Sequence, residues 1–392
     1  MSFLDTSFAF RKPCIRAEPI LPMPMNPILL WDMLFNTFVY NRINRSVDMF
    51  IVNIVMVLLS LVFSSIPILF YIWFVWWLDH HDREPFLLIA VAFFWGAVAS
   101  IVISIAAEVV LSLPLLLFSQ AIQNTVSYVV LAPLVEELAK SLILFALFFH
   151  RRFNRILDGI VYGAVVGFGF AASENLMYYV STYFTQGIGV WVVVVVLRTV
   201  FTSVGHAVFT SITGAGVGLM KFARQKWMRF VFPPLAILMA VTLHSIFNLG
   251  AVLTEFYGLM FFLISMVVIF LSLVVVGVAM FLALHDEENC IKTQLADEIK
   301  KGVVTEMEYG ILPSYLSRRR APFRVLKEFG YREYRIASRL LELELDLAFA
   351  KDRYVNTADV KESKDHLKQV NELRSSIQKT RRDLGDAAGL LK

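Results

Sequence analysis

Between residues 50 and 285 the chain is a succession of apolar runs, interrupted by short polar connectors. The runs fall at 50–78, 86–118, 128–149, 158–183, 190–220, 231–256 and 258–284. A helix needs about 20 residues to cross a bilayer. About seven transmembrane helices are therefore the expectation. The second run contains Pro114, a point for a tilt, a kink or a bend along the surface. Beyond residue 286 the spacing becomes that of amphipathic helices. Ile336, Leu340, Leu343 and Leu347 recur at three- and four-residue intervals, and so do Leu367, Val370, Leu373 and Ile377. This predicts an antiparallel helical hairpin whose first helix is opened by Pro322. The first 49 residues hold Pro13, Pro19, Pro22, Pro24 and Pro27 and no strong apolar run. Their stretch Ile28–Tyr40 is short and aromatic, which suits an interfacial helix. No apolar core with a cleavage site precedes the first span, so no cleaved signal peptide is expected.

The expected fold is all-α and polytopic. It has a polar, Pro-rich segment (1–49), a transmembrane core (50–285) and a charged helical tail (286–392). Composition agrees: 58% of residues are hydrophobic and 17% charged, against about 25% charged in a soluble domain. These values exclude a disordered chain, a disulfide scaffold and an ordinary cytosolic enzyme. The net charge of +4 is too small to imply nucleic acid. Cys14 and Cys290 cannot build a disulfide framework or a Cys-rich metal site. The tail holds 40 of the 68 charged residues and no catalytic motif, so it reads as a regulatory or docking module.

The connectors set an expected orientation. His150–Arg155 and Lys221–Arg229 are short and basic, which puts them in the cytoplasm by the positive-inside rule. The 79–85 loop and the tail then lie inside and the N-terminus outside, in the plasma membrane, although Arg42 and Arg45 run against this.

Eight ionisable side chains fall well inside the apolar spans: Glu108, Glu136, Glu137, Lys140, Glu174, Arg198, His206 and His244. An unpaired charge at a helix centre costs roughly 2.5–3.5 kcal/mol, so eight facing lipid would cost about 20 kcal/mol or more. They must pair or line a wet cavity. Helical spacing groups them: Glu136 and Lys140 share a face, Arg198, Thr202, His206 and Thr210 form one stripe, and His244 and Asn248 are four apart. Gly159, Gly163 and Gly167 allow close helix approach. Glu108, Glu137 and Glu174 lie about 12–18 Å from the expected outer ends of their spans. One cavity in the outer half of the membrane would serve them all. Glu108 taken alone reads first as a satisfied or protonated carboxylate. Arg198 is near enough to a span end for a purely structural role.

Carboxylates, two histidines and an amide in one buried site suit hydrolysis by activated water. A glutamate takes the proton from water, a histidine donates to the leaving amine, and His or Asn donors stabilise the oxyanion. Ser173 lies outside any Gly-x-Ser-x-Gly elbow. Carboxylates and histidines also form proton relays, so a proton-coupled transporter is the alternative. No internal repeat favours it.

The motifs resemble those of the PrsW family of intramembrane proteases, which belongs to a wider group with the CAAX-prenyl and bacteriocin-processing proteases. Glu136-Glu137-Leu138-Ala139-Lys140 is similar to its Glu-Glu-x-x-Lys/Arg motif. The acidic Glu-Pro loop is matched at Asp82–Pro85, the second motif at Gly167–Asn175, and the third at Arg198-Thr199 with Gly205–Thr210 and Gly214. The fourth is matched at Leu243–Asn248, and a Leu-x-x-Glu-x-x-x-Gly pattern at Leu295–Gly302. The resemblance implies cleavage of a membrane-anchored protein, single-span or of the anti-sigma-factor type, as a step of regulated proteolysis. It implies Glu136 and Glu137 as acid/base carboxylates, with Glu174, His206, His244 and Asn248 completing the site. Glu137 is the expected base and Glu136 the alternative. Lys140 and Arg198 are expected to be charge partners. No cofactor is required. Zinc stays open, and His206 and His244 with Glu137 or Glu174 would hold it.

Overall fold

The computed structural model describes residues 47–79, 84–150, 153, 155–222, 226–356 and 360–391. The Pro-rich segment with its expected interfacial helix, Cys14, Arg42, Arg45, Asp82 and Arg83, and parts of both basic connectors, lie outside them.

All described elements are helical. In chain order they are α1 (Val47–Leu78), α2 (Phe86–Phe94), α3 (Ile101–Ser112), α4 (Gln120–Val126), α5 (Ala132–Phe148), α6 (Ile156–Leu197), α7 (Ser203–Phe222), α8 (Lys226–Tyr257) and α9 (Leu259–Lys300). The tail adds α10 (Glu306–Ile311), α11 (Tyr315–Phe329), α12 (Tyr331–Asn356) and α13 (Val360–Leu384). Among the described residues, five stretches are long and apolar enough to cross a membrane: Phe50–Leu78, Phe86–Leu117, Ile156–Met220, Trp227–Thr254 and Leu259–Lys300.

Five stretches and seven expected spans differ for two physical reasons. Ile156–Met220 holds two expected spans. At Gly187, with φ 81°, α6 leaves helical geometry, a backbone state that glycine adopts freely. The two arms then lie side by side, because the Tyr179 hydroxyl donates to the Val195 carbonyl (3.3 Å) and bonds Thr199 Oγ1 (2.8 Å). The expected 128–149 span is interrupted. A π turn at Ser127–Leu131 precedes α5, which is 17 residues long and carries Glu136, Glu137 and Lys140. Pro114 sits in a 3₁₀ turn at Leu113–Leu117 that ends the second apolar run.

The first arm of α6 is the central post. Every residue from Leu157 to Ala172 is buried, as expected of a helix apolar all round. Its glycine row meets α7 backbone to backbone. A Cβ on Gly163 would stand 2.4 Å from the Thr210 carbonyl oxygen, and one on Gly167 would stand 2.3 Å from that of His206. Only glycine permits that approach, and it brings the polar stripe of α7 against α6. On the periphery, Phe50, Leu58, Ile66 and Phe70 of α1 and Leu263, Phe270 and Phe281 of α9 are exposed, an apolar surface suited to lipid.

The tail is a helical hairpin with one boundary corrected. Pro322 lies inside α11, and the helix carrying Ile336 opens at Tyr331, just after Gly330 (φ 96°). Two cross-contacts fix α12 and α13 as antiparallel. Arg381 bonds Glu344 at 2.8 Å, while Lys351 and Arg374 both pair with Glu298 of α9, at 2.9 and 2.6 Å. Leu340, Leu343, Leu347, Val370 and Ile377 pack with Ile291 and Leu295, so the hairpin's core includes the end of α9. The Leu-x-x-Glu-x-x-x-Gly pattern is the stop of that helix. Gly302 has φ 67°, its N–H donates to the Ile299 carbonyl and that of Val303 to the Glu298 carbonyl, a Schellman arrangement.

Candidate active site

Five segments bring the intramembrane polar groups together: α5, the first arm of α6, the π turn Arg198–Thr202, α7 and α8. At the centre is the ammonium of Lys140, which is fully buried. Its Nζ is 2.8 Å from Glu137 Oε1, 3.3 Å from Glu136 Oε2 and 3.1 Å from His206 Nδ1. It also sits 3.8 Å above the Phe170 ring, where a cation is attracted to the π face.

The partners assign the tautomers. Lys140 can only donate, so His206 Nδ1 accepts and its proton resides on Nε2, 2.6 Å from Glu174 Oε2. Glu174 Oε1 is held by Arg198 Nη2 at 2.9 Å. Arg198 donates from Nε to Asn175 Oδ1 (3.0 Å) and lies 3.6 Å over Tyr178. Of the two expectations for Arg198, a purely structural place near the span end and a charge partner, the geometry has it clamping the Glu174 carboxylate. His244 Nδ1 is 3.1 Å from Glu137 Oε1. With Glu137 as a carboxylate, that nitrogen carries the proton and leaves the Nε2 lone pair free, 4.0 Å from Glu136 Oε2.

The two adjacent glutamates have different surroundings. Glu137 has no exposure. Its Oε1 takes Lys140 and His244, and its Oε2 takes the Thr210 hydroxyl at 3.1 Å. Glu136 keeps 14% side-chain exposure and borders a cavity of about 110 Å³. Glu174, Arg198, His206, His244 and Asn248 line the same cavity, whereas Glu137 and Lys140 stand behind its wall. Glu108, outside every motif, also faces this space. Of the expected polar groups, Glu108, Glu136, Glu174, Arg198, His206, His244 and Asn248 thus share this space, and Ser104, Asn124, Tyr128 and Tyr178, which the motifs do not mark, line it with them. Ser173 is committed to the Ala97 carbonyl at 2.6 Å and stands clear of the chemistry.

Three π turns frame the site, at Trp95–Ser100, Ser127–Leu131 and Arg198–Thr202. Such turns disturb the helical ladder and recur at functional sites. Each offers a carbonyl to a side chain: Ala97 to Ser173, Arg198 to Ser203 (3.0 Å), and Tyr128 to Asn248 Nδ2 (2.9 Å). The last bond orients the Asn248 amide and leaves its second N–H for the cavity. Sequence reasoning missed this carbonyl, which has no residue signature, and the Thr210 bond. Thr210 belongs to the polar stripe and to the third motif, but neither gives it a hydrogen-bond partner.

Glu136, Glu137, His206 and His244 each offer a ligand atom, and the four lie within 4.8 Å of one another, so the group could hold a metal ion by proximity. The space they enclose is the test of fit. Zinc takes donors at 2.0–2.3 Å, but the Lys140 ammonium already lies within hydrogen-bond distance of three of the four. His206 Nδ1 is engaged by it and His244 Nδ1 faces Glu137. With Lys140 seated there, the set fits a protonated amine and not a second cation.

Comparison with known proteins adds an independent line. Residues 84–276 match the family described as PrsW family intramembrane metalloprotease. The chain is 31% identical to Protease PrsW of Clostridioides difficile over 187 residues, which cover 47% of this chain and 76% of that protein. It is 29% identical to Protease PrsW of Geobacillus kaustophilus over 161 residues, covering 40% and 66%. For Protease PrsW of Bacillus subtilis the figures are 28% over 162 residues, covering 38% and 65%. No solved structure matches. The proton-coupled transporter alternative finds no support in these relatives.

Proposed function

Because the chain belongs to the PrsW family of intramembrane metalloproteases and is a peptidase, we propose that it cleaves a membrane-anchored protein with water activated by Glu136. The observation that carries this is the unequal setting of the two glutamates: Glu136 opens on the cavity and Glu137 is sealed behind it. The sequence had favoured Glu137, and the geometry supports the reverse.

Water sits between Glu136 Oε2 and the free Nε2 of His244. Glu136 takes one proton as the oxygen attacks the scissile carbonyl. The resulting oxyanion is met by the second N–H of Asn248, while His206, its Nε2–H given to Glu174, forms part of the cavity wall. Glu136 then returns the proton to the leaving amine as the C–N bond breaks. The products are a carboxylic acid and an amine, and the glutamate is regenerated. Glu137 acts through others: it fixes the His244 tautomer and shares the charge of Lys140. Arg198 keeps Glu174 in place to hold His206. The family description names a metal. This mechanism routes no step through one, because the ammonium of Lys140 supports a metal-free site.

The same reading assigns catalysis to 50–285 and regulatory or docking use to 286–392. The sequence resemblance and the basic connectors support a substrate of the anti-sigma-factor type and a plasma-membrane location with the tail in the cytoplasm. Glu136→Gln, assayed in liposomes with a helical single-span reporter, tests the mechanism. The variant is expected to lose at least about 10³-fold in kcat with reporter binding kept. Cleavage within tenfold of wild type removes Glu136 as the base.

A further inference from the structure

Glu108 and Ser104 stand one turn apart on α3 and both line the cavity that contains Glu136. They belong to none of the motifs, and the mechanism above does not use them. The carboxylates around the cavity divide into two groups. Glu136 and Glu137 share Lys140, and Glu174 is held by Arg198. Among the described residues, no cation pairs with Glu108 and no group donates a hydrogen bond to it. Ser104 adds a second, independent signal. It is 4% exposed, and its Oγ has no hydrogen-bond partner among the described residues. A buried hydroxyl left unpaired is costly unless something arrives to pair it. The same holds for an acidic group in a span. The missing complement is cationic and has several N–H donors.

We propose that Glu108 and Ser104 form a specificity subsite that receives a lysine or arginine side chain of the substrate beside the scissile bond. The carboxylate pairs with the incoming charge, and the Ser104 oxygen accepts a further N–H. Helical spacing of four puts both acceptors on one face of α3, so a single extended side chain reaches both. This inference deepens the protease reading and rests on it.

The experiment uses the full chain in liposomes with single-span reporters. They carry Lys, Arg, Gln or Glu at each position within one helical turn of the cleaved bond. At one of those positions, the Lys or Arg reporter is expected to exceed the Gln reporter about tenfold in kcat/KM. In Glu108→Gln the ratio of Lys to Gln reporter falls to about one. In Glu108→Lys the preference turns toward the Glu reporter. Equal kcat/KM for all wild-type reporters overturns the subsite, as does a preference that survives Glu108→Gln. The wild-type scan decides the matter even if a variant fails to fold. Failure of the underlying reading is separate: it appears as full cleavage by Glu136→Gln, or as no cleavage of any reporter.

Discussion

Replacing Lys140 with Met tests the charge architecture most sharply. The ammonium touches Glu136, Glu137 and His206 at 3.3, 2.8 and 3.1 Å, and neither Lys140 nor Glu137 has any exposed surface. Met fills most of the volume but supplies no charge. Glu137 would keep only the neutral donors His244 and Thr210, at 3.1 Å each. Removing one partner of a buried pair costs about 3–5 kcal/mol. Glu137→Gln alone leaves the ammonium with Glu136 and should cost less, about 2 kcal/mol. The double variant removes both charges, so its destabilisation should fall well short of the sum, with a coupling energy of about 2–3 kcal/mol. The assay is equilibrium unfolding of the four proteins in one detergent or bicelle condition. Additive losses, with coupling below about 0.5 kcal/mol, would refute the reasoning, because the two groups would then not be compensating each other.

Two further outcomes follow from other features. Dialysis against a strong zinc chelator should leave reporter cleavage within twofold, since Lys140 fills the place a metal would take; loss of activity restored by added zinc would contradict this. In the tail, burial and the neighbouring Glu308 charge push the Glu344 carboxyl well above its ordinary range, despite the bond from Arg381. The folded tail then holds a proton that the unfolded chain releases, so this residue's contribution weakens as pH rises above the usual carboxylate range. Glu344→Gln should therefore gain amide-exchange protection in 331–384 relative to wild type between pH 5 and pH 8, and an unchanged difference across that range would be the wrong result.

Much of the molecule was readable from residues because lipid and charge impose strong rules. Glu108, Glu137 and Glu174 could be grouped by depth, and Glu136 with Lys140, Arg198 with His206, and His244 with Asn248 by helical spacing, since eight ionisable groups could not all face acyl chains. The close α6–α7 contact was legible in Gly159, Gly163 and Gly167. Spacing could not tell which of two adjacent glutamates would meet the cavity, because a rotation of about 100° along α5 depends on how its neighbours pack. The turn at Gly187 and the three π turns are backbone events with weak side-chain signatures. The tail's patterns gave both helices of the hairpin. Pro322 misled as a start, because its preceding turn of α11 is still helical and Gly330 makes the real break.

The central claim is that Glu136 alone of the adjacent pair meets water, and chemical rescue measures this directly. A small carboxylic acid can enter the cavity and replace a side chain that borders it, but cannot reach a position sealed behind the wall. Adding formate to Glu136→Ala should restore reporter cleavage at least about tenfold over the unrescued variant, with no restoration of Glu137→Ala. Rescue of Glu137→Ala with none for Glu136→Ala would contradict the account.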